Sequence, residues 1–144
     1  DTDNYMWNTQ FPEYTQWKKW VYNEYLKNGY VDTFTGFRRY GPLGKNQVIN
    51  TPIQCDSGHI NLWLCCYALS RIAKEGIPAK LFLQIHDSDL GMVHKDYIAE
   101  YCQLYKDGIE ALKKQWTWMI CPFEIEFEVA PVGGSWYEKK EFIL

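Results

Sequence analysis

A chain of 144 residues, 47% hydrophobic and 17% aromatic, has the length of one domain, and a domain of that size buries roughly 70% of its unfolded surface. The net charge of −3 comes with no Lys/Arg run, so strong autonomous binding to a nucleic-acid backbone, which needs clustered cations, is not predicted. Seven Trp and eleven Tyr exceed what so small a domain usually hides, and some of these rings are expected to face a partner.

Phe11-Pro12-Glu13 opens the first helical pattern, with proline suited to a first turn. Tyr14, Trp17, Val21 and Tyr25 then recur at spacings of three and four, and Asn28-Gly29 ends the pattern. The β-rich stretch from Tyr30 to Tyr40 has Gly36 near its middle and is closed by Gly41-Pro42, which reads as a hairpin. A second helix is predicted to start near Asp56 or Ser57, either of which can cap it. Ile60, Leu64, Ala68 and Ile72 mark its buried face, and Gly76-Ile77-Pro78 stops it. A hairpin follows with strands near 80–86 and 89–94. Residues 95–118 form a third helix, with Ile98, Cys102, Tyr105, Ile109 and Leu112 at helical spacing. Phe123, Ile125, Phe127 and Val129 alternate with glutamates in a strand with one wet face. Val132-Gly133-Gly134-Ser135 is a turn, and Trp136 after it an aromatic anchor. The fold class is α+β: residues 1–144 as one unit, with helices packed on a small antiparallel sheet.

The five cysteines (Cys55, Cys65, Cys66, Cys102, Cys121) are odd in number and contain no CxxC pair. With no signal peptide and no apolar run long enough to span a membrane, they indicate a reduced intracellular protein with mostly buried thiols. Zinc held by Cys65, Cys66 and a histidine is disfavoured by the ligand spacing.

The chemistry concentrates at residues 81–93, where two apolar runs flank His86-Asp87-Ser88-Asp89. A hairpin turn that presents carboxylates at a sheet edge can grip a hard divalent cation beside a phosphate. Asp and Ser are also common in turns for their local hydrogen bonding alone.

Four stretches in one order resemble the C-terminal palm and adjoining fingers of a family A DNA polymerase. Gly29-Tyr30-Val31-Asp32-Thr33, followed by Gly36-Phe37-Arg38-Arg39-Tyr40-Gly41-Pro42, resembles the family's "GYVxTxxGRRRYLP". Asn50-Thr51-Pro52-Ile53-Gln54 resembles "NxPIQ", which opens a long helix. Gln84-Ile85-His86-Asp87 resembles motif C, "QxHDE", and Gly134-Ser135-Trp136 resembles the "GxxW" close. The similarity spans residues 11–138.

The resemblance implies template-directed transfer of a deoxynucleotide from dNTP to a primer 3′-hydroxyl, assisted by two Mg²⁺ ions about 4 Å apart. It assigns the catalytic, metal-binding role to Asp87, with Asp89 as a weaker metal candidate. Asn50 and Gln54 fall where the family reads the primer–template minor groove. His86 falls at the primer terminus, and Arg38 and Arg39 are candidates for phosphate contact, although hairpin arginines more often make surface ion pairs. The second aspartate (motif A) and the triphosphate-gripping helix (motif B) belong to an upstream polypeptide, so these 144 residues are expected not to polymerise DNA alone. The implied location is the cytoplasm of a bacterial or phage-infected cell, with no membrane partner.

Three departures qualify the match. Ser88 replaces the family's glutamate, Asn46 stands where an arginine is usual, and His59 stands where an acid is usual. Such departures suit a phage-like polymerase. They also suit a different class, a non-catalytic degenerate palm that binds DNA or protein.

Overall fold

In the computed structural model, which describes residues 2–144, helix α1 (Thr2–Gln10) leads into α2 (Pro12–Asn28). Proline opens α2, where its missing N–H costs nothing, and Gly29 closes it at φ 76° with its amide on the Tyr25 carbonyl. Both ends match the sequence reading. Helix α1 has no counterpart in that reading, because Tyr5, Met6 and Trp7 are contiguous rather than spaced as a stripe.

Strands β1 (Tyr30–Asp32) and β2 (Arg38–Tyr40) form the expected antiparallel hairpin. Val31 turns inward to meet Val21 and Val48, with Trp17, Tyr22, Tyr25 and Leu43 around them. The Tyr25 hydroxyl donates to the Gly41 carbonyl at 2.7 Å and accepts from the Leu43 amide at 2.8 Å. That pair of bonds ties the chain after β2 back to α2.

Helix α3 runs from Lys45 to Glu75, well ahead of the predicted start at Asp56 or Ser57. Pro52 lies inside it, although proline forfeits a backbone donor there. Thr51 secures the same turn: its hydroxyl donates to the Gln47 carbonyl at 2.7 Å and accepts from Arg39 at 3.1 Å. Asp56 is an acceptor, not a cap. Buried at 5% exposure, it takes the Phe34 amide at 3.0 Å, the Thr35 amide at 2.9 Å and the Thr35 hydroxyl at 2.7 Å.

Two compact units divide the chain, one running to His59 and the other from Ile60 to Leu144. The α+β class stands. Rather than one sheet, the described residues form three two-stranded antiparallel ladders, β1–β2, β3–β4 and β5–β6. The last two comprise β3 (Ala79–Ile85), β4 (Ser88–Val93), β5 (Glu128–Val129) and β6 (Lys140–Glu141).

In the second unit, Ile60, Leu64 and Ala68 of α3 pack on Tyr105, Ile109 and Leu112 of α4 (Ile98–Gln115). Gly108 permits the close approach, since a Cβ there would stand 2.9 Å from Leu64 Cδ2. Helix α4 follows a 3₁₀ turn at Lys95–Tyr97 and stops short of the predicted residue 118. Trp116 leaves the helical conformation, and its ring packs against Trp63.

The alternation at 123–129 is real in its packing: Phe123, Ile125 and Phe127 sit on the core cluster while the glutamates stay exposed. Only Glu128–Val129 joins a ladder, because packing dictates the period here and a strand partner does not. Trp136 is 58% exposed, with the Lys139 ammonium 4.1 Å from its ring centroid, and so is not the anchor expected.

Leu112 is 1% exposed at the centre of the α3–α4 contact. Leu112→Ala is expected to cost about 2–5 kcal/mol. Urea unfolding followed by circular dichroism measures it.

Candidate functional site

Strands β3 and β4 pair Ile85 with Ser88, Gln84 with Asp89 and Leu83 with Leu90, continuing past an irregularity at Phe82 to Ala79 with Val93. The turn is therefore only His86 and Asp87, narrower than the four-residue tip read from the sequence. Two-residue hairpin loops demand positive φ, and His86 supplies it at 55°. For a residue with a Cβ that conformation costs about 1–3 kcal/mol and persists only where its surroundings hold it.

The two candidate carboxylates stand in different environments. Asp87 is exposed at the tip, and among the described residues its carboxylate has no hydrogen-bond or ion-pair partner. Asp89 is half-buried in β4 with both oxygens engaged. Oδ1 accepts from Asn61 Nδ2 at 3.2 Å, and Oδ2 accepts from the Cys65 thiol at 2.8 Å. Asn61 Nδ2 also lies 3.5 Å from the His86 carbonyl. Burial first, and the hydrogen bond to Asp89 second, push the Cys65 thiol up to about 12. It therefore keeps its proton and acts as a donor near neutral pH.

Tyr101 of α4 lies across this hairpin, and a Cβ at Gly91 would overlap its hydroxyl. Burial raises the Tyr101 and Tyr105 phenols above their ordinary range, so both stay neutral. Phe82, Leu83, Ile85 and Met92 leave the same hairpin with exposed apolar side chains. His94 is exposed just beyond β4.

Asn50 and Gln54 lie four residues apart on α3, hence on one face. Both are exposed, with amides that meet no partner among the described residues. Arg38 forms a two-pronged pair with Asp32 at 2.6 and 2.9 Å and lies 3.8 Å over the Tyr30 ring. That hydrogen bonding holds Arg38 more firmly protonated and lowers Asp32 below the usual carboxylate range. Arg39 reaches Thr51, next to Asn50. His59, whose role the sequence leaves open, has Nδ1 2.6 Å from the Thr35 hydroxyl and meets the Phe37 ring edge-on.

The structure thus gathers His86, Asp87 and Asp89 on one hairpin, and Arg39 beside the α3 turn that carries Asn50. Asn61 and the donor role of Cys65 escape the sequence reading. Their one signal is a polar residue and a thiol four apart beside Ile60 and Leu64. Among the described residues no three His, Cys, Asp or Glu side chains converge as a metal centre. No helix among them is long and apolar enough to cross a membrane.

No protein-family model matches the chain. In structure it is similar to the POL domain of Pol1 from M. smegmatis in complex with DNA primer-template and dNTP. The TM-score is 0.60 at 24% identity, over 66% of this chain and 19% of that one. The fold is accordingly that of part of a DNA polymerase domain.

Sequence comparison narrows the class. The chain is 26% identical over 141 residues to DNA polymerase I of Geobacillus stearothermophilus, covering 90% of this chain and 15% of that protein. It is 25% identical over 142 residues to the thermostable DNA polymerase I of Thermus thermophilus, covering 91% of this chain and 16% of that protein. The chain is related to a segment of the family A DNA polymerases, as its four motifs imply.

All five cysteines are free, but only Cys65 and Cys102 are buried, so the expectation of mostly buried thiols holds for those two. Cys66 and Cys121 are expected to react with a maleimide at pH 7.5 in the folded chain, and Cys65 and Cys102 only after denaturation. Mass spectrometry of the labelled peptides separates the four.

Proposed function

We propose that this chain is the part of a template-directed DNA polymerase that carries one metal-binding aspartate, Asp87, together with contacts to primer–template DNA. The observation that carries this reading is the Asp87 carboxylate, exposed and without a protein partner on a two-residue turn between two paired strands. A hard oxygen ligand in that position suits Mg²⁺. Asp89 suits it less, because α3 already occupies both of its oxygens. One carboxylate does not make a centre, so a second aspartate from an upstream polypeptide completes it.

Two Mg²⁺ ions bound there would lower the pKa of the primer hydroxyl and neutralise charge on the triphosphate of the dNTP. The chain's own residues place the reactants. His86 beside Asp87 meets the primer terminus. The free amides of Asn50 and Gln54 donate to minor-groove acceptors, which every correctly paired base presents. Arg39, anchored through Thr51, and Arg38, paired with Asp32, face phosphate only as secondary contacts. The setting is the cytoplasm of a bacterial or phage-infected cell, and Ser88 in place of a second acid suits a phage-like source.

Ser88 and the net charge of −3 favour a second reading, a palm that binds primer–template or protein without catalysis. The two readings part on one experiment. In the polymerase assembled with its upstream portion, Asp87→Asn is expected to lower Mg²⁺-dependent primer extension by about 100-fold or more. Its melting temperature should stay unchanged, because the residue is exposed. Extension at the parent rate would remove Asp87 from the site, and DNA binding without extension in the parent would select the second reading. The 144-residue chain alone is expected to add no nucleotide.

Gln54→Ala tests the amide contacts separately. It is expected to slow extension from a correctly paired terminus about tenfold, the worth of one hydrogen bond. A fall in melting temperature with normal extension would mark Gln54 as structural.

A further inference from the structure

Asn61 and Cys65 lie one turn apart on the same side of α3. The polymerase reading leaves both without a task. Together they supply three donor contacts to the β3–β4 hairpin. Asn61 Nδ2 reaches Asp89 Oδ1 at 3.2 Å and the His86 carbonyl at 3.5 Å, and the Cys65 thiol reaches Asp89 Oδ2 at 2.8 Å. His86 and Asp89 lie on either side of Asp87 in the chain, so one helix turn holds the loop both before and after the tip. His86 at φ 55° is a conformation that needs such support.

An apolar pair at positions 61 and 89 would bind helix to hairpin equally well, but without direction. A carboxylate that accepts from two donors fixes its own orientation, because hydrogen bonds weaken steeply away from linearity. We propose that Asn61, Cys65 and Asp89 form a latch that positions the turn bearing Asp87, holding Asp89 to α3 and leaving Asp87 as the hairpin's one exposed carboxylate. Asn61 is thus a positioning residue and Asp89 its counterpart. The inference rests on the reading of Asp87 as a metal ligand.

Backbone hydrogen exchange in this chain reads the positioning without any activity assay. Asn61→Ala is expected to speed exchange at residues 85–89 about tenfold, the effect of losing one net hydrogen bond, while α4 amides stay unchanged. Unchanged exchange at 85–89 overturns the latch. A uniform rise that includes α4 overturns it too, since Asn61 would then support the whole unit. Cys65 provides an independent pair of variants. Cys65→Val, which removes the donor at similar volume, is expected to speed exchange at the turn more than Cys65→Ser, which keeps one. Equal effects overturn the thiol's part in it.

In the assembled polymerase, Asn61→Ala is expected to lower kcat about tenfold with KM for dNTP unchanged, the mark of a displaced ligand rather than a lost binding contact. Asp87→Asn is measured beside it. Lost extension in Asp87→Asn with full kcat in Asn61→Ala overturns the latch alone. Full extension in Asp87→Asn overturns the reading on which the latch rests.

Discussion

Burial of Ile60, Leu64 and Ala68 against α4 sets the rotation of α3, and the geometry of the second unit depends on it. Once those three residues face Tyr105, Ile109 and Leu112, the positions beside them have no freedom of direction. Asn61 and Cys65 then point at the β3–β4 hairpin because the helix repeat leaves them there. Gly108 makes the contact close, since a Cβ on it would crowd the Leu64 and Tyr67 side chains at 2.9 and 3.1 Å. The placement of Asp87 is therefore decided by apolar packing elsewhere in the unit, with hydrogen bonds carrying that decision to the turn.

The first unit solves a related problem with a buried acid. The loop between β1 and β2 has two amides and a hydroxyl directed at Asp56, and His59 takes up the same threonine one helical turn later. A buried carboxylate is tolerated only when its lone pairs are met, and here the loop meets them. This arrangement explains the departure at His59. The imidazole completes a structural network around Thr35, with its ring edge against Phe37.

How much of this was legible in the sequence depended on the distance over which each residue acts. Helix α2 and the two hairpins announced themselves because cap, turn and apolar spacing are all local signals. The position of Asp87 on a turn was legible for the same reason: a short polar tip between two apolar runs folds most readily as a hairpin turn. The start of α3 was not, because Asp56 looks like a cap unless the Phe34–Thr35 loop is known to cover it. Asn61 and Asp89 are 28 residues apart in the chain, and nothing local pairs them. Residues 123–126 carry a strand's alternation outside any ladder, and the cross-strand bonds begin only where the Phe127 carbonyl accepts from the Phe142 amide at 2.8 Å, because a one-sided packing surface imposes the same period.

The β3–β4 ladder has two strands, so each is an edge, and Phe82, Leu83, Ile85 and Met92 stand exposed along it. An uncovered edge offers a row of unpaired backbone donors and acceptors to any extended chain that reaches it. An oily face next to that row makes the encounter favourable. The ribbon that carries Asp87 is thus also an adhesive surface of its unit. The same openness that would admit a neighbouring strand would admit a second copy of the ribbon, and the consequence of a bare edge is colloidal: self-association that rises with concentration while the fold itself stays intact.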